Sequence, residues 1–307
     1  MLDVIVPCYN EEKVIEDFYN KTKESLKNIK HNFIFINDGS NDKTLEKLKN
    51  IYNNDKECIK IINFSRNFGK ESAIQAGLKY SKGKYQCLID ADLQQNPKYL
   101  VKMYNFLEEN TNYDCIAMCQ KQHKKRFFQE LFYKVMDKLS DIHIENGASD
   151  FRMFKHDVTK SILNLNEKNR FTKGIFSYVG YNTYYDTYEV EARKAGETKW
   201  SFKSLLRYAA SGILAFSTKP LRFITYTGII TSFIAFIYLL IIFIKTLCLG
   251  IDTKGYASLM CVILFLGGLI LLSLGIIGEY ISKIYEESKE RPTYIIKERY
   301  GFDEDIL

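Results

Sequence analysis

Five short runs rich in β-branched and aromatic residues punctuate the first 120 positions: Leu2–Val6, Phe33–Asn37, Ile59–Phe64, Tyr85–Asp90 and Cys115–Cys119. Stretches long enough for helices separate them. Strands alternating with helices predict βαβ units and a largely parallel sheet, in which ligands gather at the carboxyl ends of the strands. The pattern changes near the carboxyl end, where 22 residues from Phe223 to Ile244 and 24 from Gly255 to Gly278 carry no charge. At 1.5 Å per residue each reaches roughly 33–36 Å as a helix, enough to cross a hydrocarbon core of about 30 Å. Just before them, Phe202, Leu205, Leu206, Ala209, Ile213 and Phe216 form one helical stripe, with Lys203 and Arg207 off it. That stripe suits an interfacial helix or an amphipathic helix lying on the sheet.

Lysine and arginine placement orients the apolar pair. Lys203, Arg207, Lys219 and Arg222 precede it and Lys283, Lys289, Arg291, Lys297 and Arg299 follow, whereas Lys245 and Lys254 alone fall between. The positive-inside rule then puts both termini in the cytosol and the short connection outside. The amino terminus shows no basic stretch leading into a long apolar one, so no cleavable signal is read and the first domain is expected to stay cytosolic. The expected organisation is a cytosolic domain over 1–200, an interfacial region over 201–220, two transmembrane helices within 221–282 (about 223–244 and 255–278), and a cytosolic tail over 283–307.

Composition narrows the class further. With 46% hydrophobic and 26% charged residues the chain can bury a core and is not intrinsically disordered. Its net charge of +6 comes from 43 basic and 37 acidic residues that are interspersed, so no nucleic-acid partner is expected. Seven cysteines without a CxxC pair fit a reducing compartment.

The candidate chemistry sits where the predicted strands end. Strand one runs into Pro7-Cys-Tyr-Asn-Glu-Glu12 and strand two into Asn37-Asp-Gly-Ser40, whose Asp38 and Ser40 are equally suited to capping the next helix. Strand three ends at Ser65-Arg-Asn-Phe-Gly-Lys-Glu71, where Gly69 allows close backbone approach and Lys70 adds a cation before a helix, a setting suited to phosphate. Neither GxGxxG nor GxxxxGK[ST] occurs, which argues against a dinucleotide fold and a P-loop ATPase. After strand four comes Asp90-Ala-Asp-Leu-Gln94. Two carboxylates one residue apart at a strand end repel each other unless a divalent cation joins them. Such hard oxygen ligands suit Mg²⁺ or Mn²⁺ shared with substrate phosphates, and Gln94 offers a further oxygen.

Together these motifs resemble the inverting family 2 glycosyltransferases of GT-A fold, and within them the polyprenyl-phosphate glycosyltransferases, which include bactoprenol glucosyltransferases and dolichol-phosphate mannose synthases. Ser149-Asp-Phe-Arg-Met153, Asn169-Arg-Phe-Thr-Lys-Gly174, Arg193-Lys-Ala-Gly-Glu-Thr-Lys-Trp-Ser-Phe202, Gly278-Glu-Tyr-Ile281 and Arg291-Pro292 extend the likeness over nearly the whole chain. The resemblance implies an α/β GT-A domain (Rossmann-like, mainly parallel sheet), an interfacial helix and a transmembrane hairpin. It assigns uridine or ribose contacts to Pro7, Tyr9, Glu11 and Asp38, nucleotide contact to Asp90 alongside Lys70, and metal ligation to Asp92 and Gln94. Asp150, with Asp92, occupies the family's catalytic positions, and Arg170, Lys173, Arg193 and Lys199 match cations that face phosphate. The segment Gln120–Phe128 looks shorter than in many relatives, so Lys124, Lys125 and Arg126 suit either acceptor contact or a solvated basic face.

The implied reaction is inverting transfer of a hexose, glucose by default, from a UDP-sugar to a polyprenyl phosphate at the cytoplasmic membrane. A homo-oligomer is the expected assembly. Two other readings compete. A polysaccharide synthase should carry Gln-x-x-Arg-Trp and more spans, whereas the sole tryptophan, Trp200, follows Glu-Thr-Lys. A membrane-anchored nucleotide-sugar binder without activity is opposed by the intact Asp90, Asp92 and Asp150.

Overall fold

The computed structural model describes residues 1–121, 145, 147–168, 170–191, 217–249 and 255–302. All five expected strands form. They are β1 (Leu2–Cys8), β2 (His31–Asn37), β3 (Ile59–Phe64), β4 (Tyr85–Leu88) and β5 (Cys115–Gln120). Three more follow among the described residues: β6 (Ala148–Lys155), β7 (Thr183–Tyr188) and β8 (Ile296–Tyr300). They make one sheet in the order β7-β5-β6-β4-β1-β2-β3-β8. Strands β4, β1, β2 and β3 run parallel, as do β5 and β7, while β6 is antiparallel to both its neighbours and β8 is antiparallel to β3. The sheet is therefore α/β and mainly parallel, as its sequence predicts.

Burial explains the continuous apolar runs. Leu2, Val4, Ile5, Val6, Phe33, Ile34, Phe35 and Ile36 are all fully buried, because both faces of the central strands are covered. On one face Leu2, Val4, Val6, Phe33 and Phe35 join Ile15 and Phe18 of helix α1 (Ile15–Ser25), Leu48 of α2 (Thr44–Asn54) and Leu100 and Met103 of α4 (Lys98–Glu109). On the other lies α3 (Lys70–Tyr80), whose Ala73, Ile74, Ala76 and Leu78 are buried.

The chain lays β2 and β3 on one side of β1 and then returns to place β4 on the other. This reversal opens a crevice at the carboxyl ends of β1 and β4, the usual position for a ligand in such sheets. Geometry alone thus directs attention to the residues that follow Val6 and Leu88.

The tail expected over 283–307 contains more structure than the hydropathy pattern indicated. Its β8 pairs Ile61 with Tyr300 and Ile62 with Arg299, Ser65 N–H donates to Ile295 O at 3.0 Å, and Tyr294 stacks on Phe64 at 5.0 Å. The strand Ile-Lys-Glu-Arg-Tyr is polar because it is an edge strand, half in water, which also blunts the edge against further pairing.

A second unit comprises the long helices α7 (Lys219–Leu249) and α8 (Tyr256–Ser288), numbered after α5 (His156–Leu163) and α6 (Thr172–Tyr178) of the first unit. Segments Lys219–Ile242 and Val262–Ser288 are long and apolar enough to cross a membrane, and none of that surface is buried within the protein. Side chains such as Phe233 and Leu271 are 64% and 72% exposed, which is stable only against lipid. The chain is accordingly membrane-associated. The expected interfacial helix falls mostly outside the described residues.

Candidate active site

Two loops interlock to form one wall of the crevice. After β1, Asn10 N–H donates to Ser40 Oγ at 3.0 Å, Glu11 N–H to Thr44 Oγ1 at 2.8 Å and Glu12 N–H to Asp42 Oδ2 at 3.2 Å. In return Asn41 N–H donates to Asn10 Oδ1 and Lys43 N–H to Glu12 Oε2, both at 3.0 Å. Asn10 adopts a left-handed backbone conformation (φ 57°), which asparagine tolerates better than most residues. The polar clusters after strands one and two are therefore mutual partners. Helix α2 is capped by Asp42, which accepts from Thr44 N–H at 3.0 Å, so neither Asp38 nor Ser40 has that task.

Asp38 instead shapes the loop after β3. Its two carboxylate oxygens accept from Phe68 N–H at 2.6 Å and Gly69 N–H at 2.9 Å. Burial pushes its carboxyl up, and these two bonds oppose the rise. Gly69, with φ 97°, turns the chain into α3 and so presents Lys70 to the crevice.

The register of β4 against β6 places the acids. Leu88 pairs with Arg152 in an antiparallel ladder, so continuing two residues each way sets Asp90 beside Asp150. Two adjacent carboxylates need a counter-ion, and Lys70 supplies it: Nζ lies 2.7 Å from Asp90 Oδ1 and 3.0 Å from Asp150 Oδ2. These anions hold the Lys70 ammonium above its usual range, although burial works the other way. Burial would raise the Asp150 carboxyl, but Lys70, Lys173 and Arg152 outweigh it and hold it down to about 2.

Beyond Asp90 the chain reverses through Leu93, buried and left-handed at φ 58°. Strain of this kind at a buried branched residue persists where the surrounding structure fixes it. It lets Asp92 Oδ1 accept from Gln94 N–H at 3.1 Å. The buried Gln95 reaches back to Asp90, its Oε1 accepting from Asp90 N–H at 3.0 Å and its Nε2 donating to Oδ2 at 3.3 Å.

The resulting cleft of about 290 Å³ is lined by Pro7, Cys8, Tyr9, Glu11, Asp38, Asn67, Gly69, Lys70, Ala73, Asp90, Ala91 and Asp92. All six residues expected to hold a nucleotide sugar are among them. Asp150 joins through Lys70, and Lys173, on α6, is near enough to act on the Asp150 charge. Gln94 is not part of the lining; its backbone N–H supports Asp92 and its carbonyl accepts from Glu191 N–H at 3.1 Å. Arg170, expected to face phosphate, instead donates to Leu165 O at 2.8 Å and Ile162 O at 3.2 Å, satisfying carbonyls at the end of α5. Arg193, Lys199, Lys124, Lys125 and Arg126 lie outside the described residues. Gln95, Arg152 and Glu71 were not singled out in the sequence, although each adjoins or lies within a motif that was.

A mainly parallel sheet with an acidic, cation-bridged cleft at its switch point is the frame of an α/β enzyme that handles a phosphorylated ligand. Residues 3–163 match the glycosyl transferase family 2 profile, and residues 219–284 match the GtrB C-terminal hairpin. A Synechocystis sp. (strain PCC 6803) protein named uncharacterized glycosyltransferase sll0501 is 40% identical over 98% of this chain and 96% of its own. The prophage bactoprenol glucosyl transferase homolog of Escherichia coli K12 is 38% identical over 96% of this chain and 98% of its own. The bactoprenol glucosyl transferase of Shigella phage SfV gives the same three figures, 38%, 96% and 98%. The chain belongs to glycosyl transferase family 2, and its sheet domain is the GT-A unit of a glycosyltransferase.

Proposed function

We propose that this chain transfers a hexose, glucose by default, from a UDP-sugar to a polyprenyl phosphate with inversion at the anomeric carbon. The observation that carries the reading is Lys70 joined to both Asp90 and Asp150 in a cleft lined by the expected donor residues. Similarity to bactoprenol glucosyl transferases over nearly the full length, apolar hairpin included, supports the lipid acceptor. Membranes supplied with UDP-[¹⁴C]glucose and polyprenyl phosphate should yield a labelled lipid whose mass gives the sugar. Absence of any labelled lipid with every UDP-hexose tried would sink the reading.

The chemistry follows from charges. The nucleophile is an acceptor phosphate oxygen, already largely ionised near neutral pH because its second pKa is ~6. Asp150, whose carboxyl Lys70, Lys173 and Arg152 hold down to about 2, is ionised and acts by holding the cations that face the incoming phosphate. Lys70 and Lys173 set positive charge where donor diphosphate and acceptor phosphate must lie together and so offset the repulsion between those two anions.

A divalent cation, Mg²⁺ or Mn²⁺, fits this donor set. Among the described residues no three His, Cys, Asp or Glu side chains gather as a ready cage. The Asp92 carboxylate lines the cleft and would hold the ion, with oxygens of a bound diphosphate supplying the further hard ligands that magnesium takes with nucleotides. When bound, the ion stabilises charge on the departing UDP.

Loop coupling gives one test. A Cβ on Gly39 would lie 2.2 Å from the Arg66 carbonyl carbon, at φ +61°. Gly39→Ala must push the 65–69 loop away, and UDP affinity by calorimetry is expected to fall by at least about tenfold, or ~1.4 kcal/mol. Unchanged affinity in a folded variant would mean that the loop does not shape the donor site.

Topology gives another. With a cytosolic donor, the Lys245–Lys254 connection is outside and the carboxyl tail inside. With Cys248 replaced by serine, a cysteine placed in the connection should react with an impermeant maleimide on intact cells, and one placed near Lys297 should not. The reverse labelling would refute the orientation.

A further inference from the structure

Beside the Lys70 bridge lies a contact that neither the family likeness nor the mechanism above uses. Thr172, the first residue of α6, donates its backbone N–H to Glu71 Oε2 at 3.1 Å, and its hydroxyl donates to the same oxygen. Thr172 is 5% exposed, and its bond crosses 101 positions of sequence. The residue before it, Phe171, has no side chain able to cap the helix, so Glu71 satisfies an amide that would otherwise be orphaned. The neighbours matter most: Lys70 precedes Glu71, and Lys173 follows Thr172. One contact therefore fixes the spacing of two cations that both act on Asp150.

We infer that Glu71 is a positioning residue, a latch that joins the first turn of α3 to the first turn of α6 and so brings Lys70 and Lys173 together around Asp150. The inference rests on the transferase reading above and deepens it by linking the donor side of the cleft, on α3, to the cation of α6 that serves the acceptor.

The electrostatics agree with a hydrogen-bonding rather than an ionic task. Burial, reinforced by the charge of Asp150, pushes the Glu71 carboxyl up to about 8, against the pull of Thr172 N–H, Lys70 and Arg170. Largely neutral at pH 7, Glu71 does not compete with Asp90 and Asp150 for Lys70, yet its carbonyl oxygen still accepts both Thr172 bonds. A glutamine reproduces that neutral form atom for atom at the accepting oxygen. An alanine leaves two buried donors unmatched.

The test compares full-length, membrane-reconstituted variants. Glu71→Ala is expected to lower kcat at least tenfold per folded molecule with donor KM within about threefold of wild type, whereas Glu71→Gln stays within about fivefold of wild-type kcat. Thr172→Val should lose activity in the same direction and Thr172→Ser should restore it. In the double variant Glu71→Ala/Thr172→Val the loss should be no greater than in Glu71→Ala alone, because both remove one shared interaction. Hydrogen exchange of the 172–178 segment should quicken in Glu71→Ala while the sheet stays protected. Unchanged kcat in folded Glu71→Ala, strictly additive losses, or unaltered exchange at 172–178 would each overturn the latch. If the wild type itself transferred no sugar, the transferase reading would fail, and the exchange measurement would still decide whether the latch exists.

Discussion

Asp92→Ala is expected to reduce sugar transfer by a factor of at least about 10³, and chelation of divalent cations with EDTA is expected to do the same to the wild type. Asp92 lines the cleft at the end of β4, where its backbone is held by a left-handed turn and its side chain by Gln94 N–H. A residue there contributes little to core packing, so the variant should fold and keep its melting temperature within a few degrees. On the proposed mechanism it loses the protein's oxygen for a cation that would stabilise the leaving diphosphate, and losing such preorganised stabilisation typically costs ~3–4 kcal/mol of barrier. Adding Mg²⁺ or Mn²⁺ back should restore the EDTA-treated wild type and leave Asp92→Ala inactive. Full turnover of the wild type in EDTA would remove the metal from the mechanism.

The second large effect is expected at Lys70. Lys70→Met keeps the length of the side chain and deletes the charge that Asp90 and Asp150 share at 2.7 and 3.0 Å. Transfer should fall by about 10²–10³, because the cleft then presents two unneutralised carboxylates to a dianionic donor. Stability should fall by less, ~1–2 kcal/mol, since the Lys70 side chain is 42% exposed and water screens the pair. The stability difference has a definite pH dependence. Asp150 is held down to about 2 in the folded protein, below the usual aspartate range of about 4, so its contribution is fully present above about pH 4 and is lost as pH falls through about 2. The gap between wild type and Lys70→Met in denaturant melts should therefore be wide at pH 6 and narrow progressively toward pH 2. A gap independent of pH would show that Lys70 does not stabilise the folded protein through Asp150.

Particular residues explain what the sequence disclosed. The central strands were legible because they are buried on both faces, so Val4, Ile34 and Ile61 sit in short runs dense in β-branched and aromatic residues that need no partner to be recognised. The donor motifs were legible because each follows such a run, and the parallel topology brings strand ends together automatically. Strand β8 was not, because an edge strand half in water reads as an ordinary polar tail. Gln95 escaped because its value lies in reaching back to Asp90, a relation set by the reversal at Leu93 and not by spacing. Arg170 shows the converse: the type of residue suited phosphate, but the Ile162 and Leu165 carbonyls at a nearby helix end accept two of its N–H groups. Glu71 became visible once α6 was seen to dock Thr172 against it.

Strand β8 also imposes an order in time. Ile61 and Tyr300 are partners across about 240 residues, and the hairpin helices lie between them in the chain. A ribosome working from the amino terminus therefore delivers β1 to β7 first, then both apolar helices, and only afterwards the strand that closes the sheet. Until that moment the edge of β3 is open, and Phe64 lacks the ring of Tyr294 that packs on it 5.0 Å away. Synthesis of both apolar helices thus precedes completion of the sheet, and residues 291–302 are a closing step that a nascent chain cannot take before those helices have been made.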